Sequence, residues 1–319
     1  MAEIDRNSGD NWERRALEKI ALAAIQEQRR ARHWGIFFKL LLFVYLFALL
    51  FIGLGWLGKK DGASPGKHSA LVELRGVIGP ESAASADNVV TGLQEAFKDK
   101  RTQGVILRIN SPGGSPVQAG HINDEIKRLR AKYPNIPVYA VVEDICASGG
   151  YYVAVAADQI YVDKGSIIGS IGVLMDGFGF TGLMDKLGVE RRLLAAGENK
   201  GFLDPFSPIR DSQVQYAESM LEEIHKQFIT VVRQGRGKRL KETPELFSGL
   251  LWVGTRSVEL GLADGLGSVD YVAREVIKAE DIVDFTPREN IAERVARRFG
   301  AAMADTLVRS ATINPLTIR

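Results

Sequence analysis

The sequence predicts an α/β body carried on one N-terminal transmembrane helix. An uncharged apolar run fills residues 40–57, and from residue 70 onward β-like and helix-like stretches alternate, the pattern of helices layered on a sheet. Two glycine-rich turns sharpen the picture. Asn110-Ser-Pro-Gly-Gly-Ser115 and Ala147-Ser-Gly-Gly150 each follow an apolar strand-like stretch and open a helix-like one, the place where catalytic loops sit.

The run Leu40–Leu57 reads LLLFVYLFALLFIGLGWL and, with residues 34–39 before it, is long enough to cross about 30 Å of hydrocarbon. Residues 34–57 are therefore read as the anchor. Trp34 and Trp56 suit the two interfaces, and Lys39 near one end can snorkel to the headgroups. The 33 residues ahead of it and the lack of a following A-x-A site favour a retained helix over a cleaved leader. Arg14, Arg15, Lys19, Arg29, Arg30 and Arg32 precede the span, against Lys59, Lys60, Lys67 and Arg75 after it. That bias puts residues 1–33 in the cytoplasm and the body outside. In a bacterium this is a single-pass protein of the inner membrane with its body on the periplasmic side. Residues 12–32 are helix-like, a solvated extension of the anchor.

Residues 58–68, with Gly62, Pro65 and Gly66, read as a linker. The body is expected over 69–280. Its elements are a strand at 70–77, a helix at 86–98, a strand at 105–109, a helix at 117–132 and a strand at 138–142. A helix at 149–157, a strand at 160–162, a turn-rich 165–172, a helix at 178–187 and a strand at 191–195 follow. Val214, Ala217, Leu221, Ile224, Phe228 and Val232 recur at three- and four-residue spacing, so 209–237 is a long amphipathic helix packing one face on the core. Residues 281–319 form a basic C-terminal segment, amphipathic over 288–309.

With 319 residues the chain can bury a core without staples. Hydrophobic residues at 45% and charged residues at 25% argue against wholesale disorder and against a multi-span protein. A net charge of +2 provides no broad positive field, so nucleic acid is not an expected partner. The lone cysteine, Cys146, permits neither an internal disulfide nor a cysteine-cluster metal site. No metal or nucleotide motif is visible, and no cofactor is expected.

Ser148 stands where a strand turns into a helix, with small Ala147, Gly149 and Gly150 clearing space beside it, which suits a nucleophile. A serine there also suits a plain helix cap. Of four histidines, only His121 is close to a glycine loop, and none falls between Ser148 and Lys200, so a Ser-His-Asp triad is disfavoured. A lysine freed of its proton by burial can serve as base, and Lys164, Lys186 and Lys200 are the downstream candidates.

Four motifs in order, Ile109-Asn-Ser-Pro-Gly-Gly-Ser115, Ala147-Ser-Gly-Gly-Tyr-Tyr152, Gly169-Ser-Ile-Gly-Val173 and Lys200-Gly-Phe-Leu-Asp-Pro-Phe-Ser-Pro208, resemble the signal peptide peptidase A family in its short, single-copy form. Gly235-Arg-Gly237, Phe247–Trp252 and Gly261-Leu-Ala-Asp-Gly-Leu-Gly267 extend the resemblance over about residues 70–275. It implies a Clp protease/crotonase-like fold and a membrane-anchored serine protease that degrades cleaved signal peptides. It also implies Ser148 as nucleophile, Lys200 as general base, Ser170 orienting the lysine, and the Gly114 and Gly149 N–H groups as oxyanion donors. The strand-like edge 167–173 would take an extended, apolar peptide. The family assembles into rings in which serine and lysine can come from neighbouring subunits. Three other readings stand beside this one. They are a related inner-membrane peptidase with another membrane-protein substrate, a non-catalytic scaffold, and a crotonase-type acyl-CoA enzyme drawing on Glu143 and Asp144.

Overall fold

A computed structural model of the chain describes residues 9–53 and 66–287. The chain divides into two units, residues 1–61 with 288–319, and Gly62–Pro287. In the first, α1 (Gly9–Gly53) is one continuous helix of 45 residues, with no proline to break it. At 1.5 Å per residue it is about 67 Å long, more than twice a hydrocarbon core. It includes a stretch long and apolar enough to cross a membrane, and none of that stretch is buried. The helix-like lead and the apolar run are thus a single element. The end of the anchor, most of the linker and the C-terminal amphipathic segment lie outside the described residues.

The body is built on an eight-stranded sheet. Strands β1 (His68–Arg75), β2 (Thr102–Ser111) and β3 (Val138–Ala147) run parallel at its centre. The two halves of β3 have different neighbours: residues 139–142 pair with β4 (Gln159–Val162) and residues 145–147 with β5 (Ile167–Gly169). Only β6 (Leu251–Val253) runs antiparallel, on β5. β7 (Gly265–Leu266) adds to β4, and β8 (Ile282–Asp284) adds to β1, so the sheet takes in residues beyond 280.

Buried on both faces, the central strands read as apolar runs rather than strict alternations. Ala70, Val72, Leu74, Val105, Leu107, Ile109, Val138, Ala140 and Val142 point to the larger core. It is covered by α2 (Ala86–Lys98), α3 (Pro116–Lys132), the short α4 (Gly149–Ala154) and the long α6 (Asp211–Arg236). Leu71, Ile106 and Val141 face the other side, under a wide helical turn at 272–277. Helices α2 and α3 start where serine can satisfy orphan N–H groups: Ser85 accepts from Asn88 and Ser115 from Gln118, with Pro116 at the first turn.

Register between β2 and β3 slips at their upper ends. Ile109 pairs with Val142 but Ser111 with Cys146, so Glu143–Ile145 bulge opposite Asn110, which donates to Asp144 at 2.8 Å. Cys146 resumes the pairing and packs in the larger core.

The C-terminal glycine motifs serve packing. Arg236, 1% exposed, donates twice to Asp264 at 2.9 Å and once to the Gly261 carbonyl at 2.8 Å. Asp264 also accepts from the Ile160 N–H at 2.7 Å. This buried pair fastens the end of α6 to β4.

Two expectations are corrected. Residues 191–195 form no strand: they are exposed, and no ladder partner lies beside them among the described residues. The supposed open edge at 167–173 is closed over 167–169, because β6 pairs there; the chain runs unpaired by any strand only from Ser170.

Candidate active site

The site forms where both glycine turns leave the top of the sheet. Ser148 follows β3 with φ 52 and ψ −122, a backbone that non-glycine residues rarely adopt. Its N–H donates to the Gly169 carbonyl at 2.9 Å, and its carbonyl accepts from Tyr152 N–H at 2.9 Å. The side chain makes no capping bond to α4, so the plain-cap role is unfilled. The residue instead lines a cavity of about 520 Å³.

The Gly113–Gly114 turn packs directly on that serine. A Cβ at Gly113 would lie 2.7 Å from Ser148 Cβ and 2.8 Å from Gly149 N, and one at Gly149 would lie 3.3 Å from Gly114 N. Only glycine lets the two loops approach so closely. The turn is also hung from Ile78, whose N–H donates to the Gly113 carbonyl at 2.8 Å and whose carbonyl accepts from Ser115 at 2.9 Å. Gly114, Ser148, Gly149 and Ser170 all border the one cavity. Ser170 has φ 49 and donates its N–H to the Leu250 carbonyl at 2.8 Å.

Lys200 is not brought to this cavity. It is exposed and absent from the cavity wall, within an arm, residues 174–209, that also carries the helix α5 (Thr181–Leu187). Successive tight turns shape its segment: Lys200 N–H bonds Gly197, Phe202 bonds Asn199 and Asp204 bonds Gly201. Asp204 accepts from Ser207, Phe206 and Arg191. The Ser207 hydroxyl, with the other two donors, holds its carboxyl below the usual range. The Leu203 N–H reaches Gln213 on α6 at 3.4 Å. The arm exposes large apolar side chains among its charged ones, with Phe178 80% and Leu194 96% exposed. Lys164, Lys186 and His121 are exposed and border the cavity no more than Lys200 does.

Much of the remaining wall comes from Ile224, Gln227 and Phe228 of α6, from Tyr152, and from Val173 and Leu174. Sequence reasoning saw Ile224 and Phe228 in the apolar stripe of 209–237 and assigned them to the core; Phe228 is buried at 4% and also forms this wall. Among the described residues no carboxylate borders the cavity. Glu143 and Asp144, in the β3 bulge, open with Arg75 and Arg108 into a separate cavity of about 840 Å³, where Arg108 pairs with Glu73 and Glu143.

Among known proteins, a sodium/proton antiporter NhaA of Brucella melitensis is 47% identical to this chain over 177 residues, 56% of the chain but 24% of that protein. The chain thus spans about a quarter of the length of that relative. A protein of Enterococcus faecium bearing the name of signal peptide peptidase SppA is 30% identical over 235 residues, 71% of this chain and 67% of that protein. Protease 4 of Haemophilus influenzae is 30% identical over 219 residues, 67% of this chain and 35% of that protein. Residues 130–283 match peptidase family S49.

The chain belongs to peptidase family S49. The match takes in Ser148, Ser170 and Lys200 and ends in β8, and S49 membership accords with the mostly parallel sheet and the serine at its upper edge. Family S49 is a serine protease family, and within this member Ser148 sits at positive φ on the wall of a cavity between two glycine loops.

Proposed function

We propose that the chain is a membrane-anchored serine endopeptidase that degrades cleaved signal peptides with a Ser148–Lys200 dyad. The observation that carries this reading is Ser148 itself, held at positive φ, unused as a cap and open to the cavity between the glycine turns. Ser148 Oγ attacks the scissile carbonyl and its proton passes to Lys200 Nζ. The N–H groups of Gly114 and Gly149 receive the developing oxyanion, and Lys200 returns the proton to the leaving amine. Water then hydrolyses the acyl-enzyme. Ser170, on the cavity wall, orients the lysine.

Lys200 reaches Ser148 from a second copy. Its place on an exposed arm that also exposes Phe178 and Leu194 supports a homo-oligomeric ring in which each arm delivers a lysine to its neighbour's cavity. The small and apolar wall suits unfolded apolar peptides. The basic bias before the span places the body on the periplasmic face, with the apolar part of α1 in the inner membrane. Glu143 and Asp144 open away from Ser148, which weighs against acyl-CoA chemistry.

The test is hydrolysis of a synthetic signal peptide by the full chain in detergent, comparing wild type, Ser148→Ala, Lys200→Ala and a co-assembled mixture of the two variants. Each variant alone should be inactive at unchanged assembly size, and the mixture should regain activity because it contains sites with both groups intact. Activity in Lys200→Ala with an unchanged pH profile would remove the base assignment. An inert, assembled wild type would favour another substrate or a scaffold.

A further inference from the structure

Beyond Gly169 the chain leaves the sheet and becomes one wall of the catalytic cavity, contributing Ser170, Gly172, Val173 and Leu174. Among the described residues no strand pairs with residues 170–174, so their backbone must be fixed by other means. At its start the wall is tied twice, by Ser148 N–H to the Gly169 carbonyl and by Ser170 N–H to the Leu250 carbonyl. Gly172 N–H turns back onto the Ser170 carbonyl at 2.9 Å, and the Ile171 side chain is fully buried.

The remaining tie comes from α6. His225 Nε2 lies 3.1 Å from the Ile171 carbonyl, across 54 positions of sequence. A carbonyl can only accept, so Nε2 carries the hydrogen and donates it. The flanking residues of the same helix, Ile224, Gln227 and Phe228, border the same cavity. Ser170 sits at φ 49, a conformation that persists only when its surroundings over-determine it. With the Ile171 carbonyl released, the Ile171–Gly172 peptide plane keeps the bond from Gly172 N–H to the Ser170 carbonyl but loses its tie to α6, and Val173 and Leu174 follow directly from that plane.

We propose that His225 is a positioning residue for peptide hydrolysis. Its hydrogen bond to Ile171 holds the 170–174 wall in the shape that receives an extended substrate. The inference rests on the serine-protease reading of Ser148 and adds to it a donor that touches neither the substrate nor the reacting atoms.

The experiment uses the full chain in detergent, as wild type and as His225→Phe, His225→Ala and His225→Gln. A quenched-fluorescent peptide rich in Ala and Leu reports kcat and KM, and a small fluorophosphonate that labels the serine reports its intrinsic reactivity. Phenylalanine keeps a planar ring without the donor, whereas the glutamine amide restores an N–H. The Phe and Ala variants should lose about five- to tenfold in kcat/KM, mostly through KM, as expected for one hydrogen bond. Their labelling rate should fall less than their kcat/KM, and the Gln variant should recover most of the loss. Wild-type kcat/KM in His225→Phe overturns the proposal, as does a Gln variant as impaired as Ala. Peptide turnover and labelling that fall together with melting temperature assign His225 to the fold alone. A wild type that neither labels nor hydrolyses removes the protease reading and this inference with it. Labelling without peptide turnover leaves that reading standing and refutes only the substrate-receiving role.

Discussion

Gly113→Ala puts the close approach of the two turns to the test. The new methyl carbon would lie 2.7 Å from Ser148 Cβ, 2.8 Å from the Ala147 carbonyl oxygen and 2.8 Å from Gly149 N. Ordinary contact begins at 3.4 Å, so one turn must retreat by about 0.7 Å. The Gly113 turn has little freedom to do so, because its carbonyl is held by Ile78 N–H at 2.8 Å and its N–H by Ser111 Oγ at 3.1 Å. Movement therefore falls on Ser148 and on the Gly149 N–H, the nucleophile and one oxyanion donor of the proposed mechanism. Displacements near 1 Å and the loss of a single oxyanion donor each cost about 100-fold in kcat. Alanine at φ 102 adds backbone strain of about 1–3 kcal/mol, read as lost stability. Peptide hydrolysis and urea unfolding of the full chain measure the two effects separately. Gly120→Ala is the control: on α3 a methyl there meets nothing within 4 Å, so kcat should stay at the wild-type value while stability rises by about 0.5–1 kcal/mol from the helix preference for alanine. A folded Gly113→Ala protein with kcat within about threefold of wild type, against the 100-fold expected from displacement, would refute the claim that this contact sets the nucleophile's position.

Asp264→Asn should destabilise the body by about 3–5 kcal/mol in urea unfolding, since it strands the buried Arg236 guanidinium; a loss below about 1 kcal/mol would mean that the pair adds little. In the wild type, burial alone would raise the Asp264 carboxyl, but hydrogen bonds and charge from Arg236 outweigh it and the net shift is downward. The stabilisation is therefore fully present above the unfolded value near 3.9 and lost as pH falls through the lower folded value, and the Asn variant should lack this acid-dependent part. Cys146 is fully buried and desolvation pushes its thiol well up, so an aromatic disulfide reagent should modify it only at the rate of unfolding; fast modification of the native protein would contradict that placement.

The parts of the molecule legible in sequence were those where residue type alone forces the backbone. Glycine pairs after apolar runs located both turns, and with them Ser148, Gly114 and Gly149. The 3.6-residue stripe located α6. The β3 bulge left no such mark, because Glu143–Ile145 is a matter of pairing register, which depends on the neighbouring strand. Residues 191–195 have strand-like apolar content, yet a strand needs a partner and the arm offers none. The cavity wall shows the same limit: periodicity reports that Ile224 and Phe228 are covered, and what covers them is decided by tertiary packing. Lys200 was singled out by a motif resemblance, and its distance from the Ser148 cavity is a fact of three dimensions that spacing along the chain cannot carry.

The positive φ of Ser148 has a consequence for how this protein balances durability against activity. Holding a serine there costs about 1–3 kcal/mol, a cost that glycine avoids. Ser148→Ala keeps the strain and loses the hydroxyl, whereas Ser148→Gly removes both, offset in part by the greater freedom of glycine in the unfolded chain. On the proposed mechanism, the sturdiest version of this body is one that cannot cut a peptide, and selection for robustness alone would erase the proposed nucleophile.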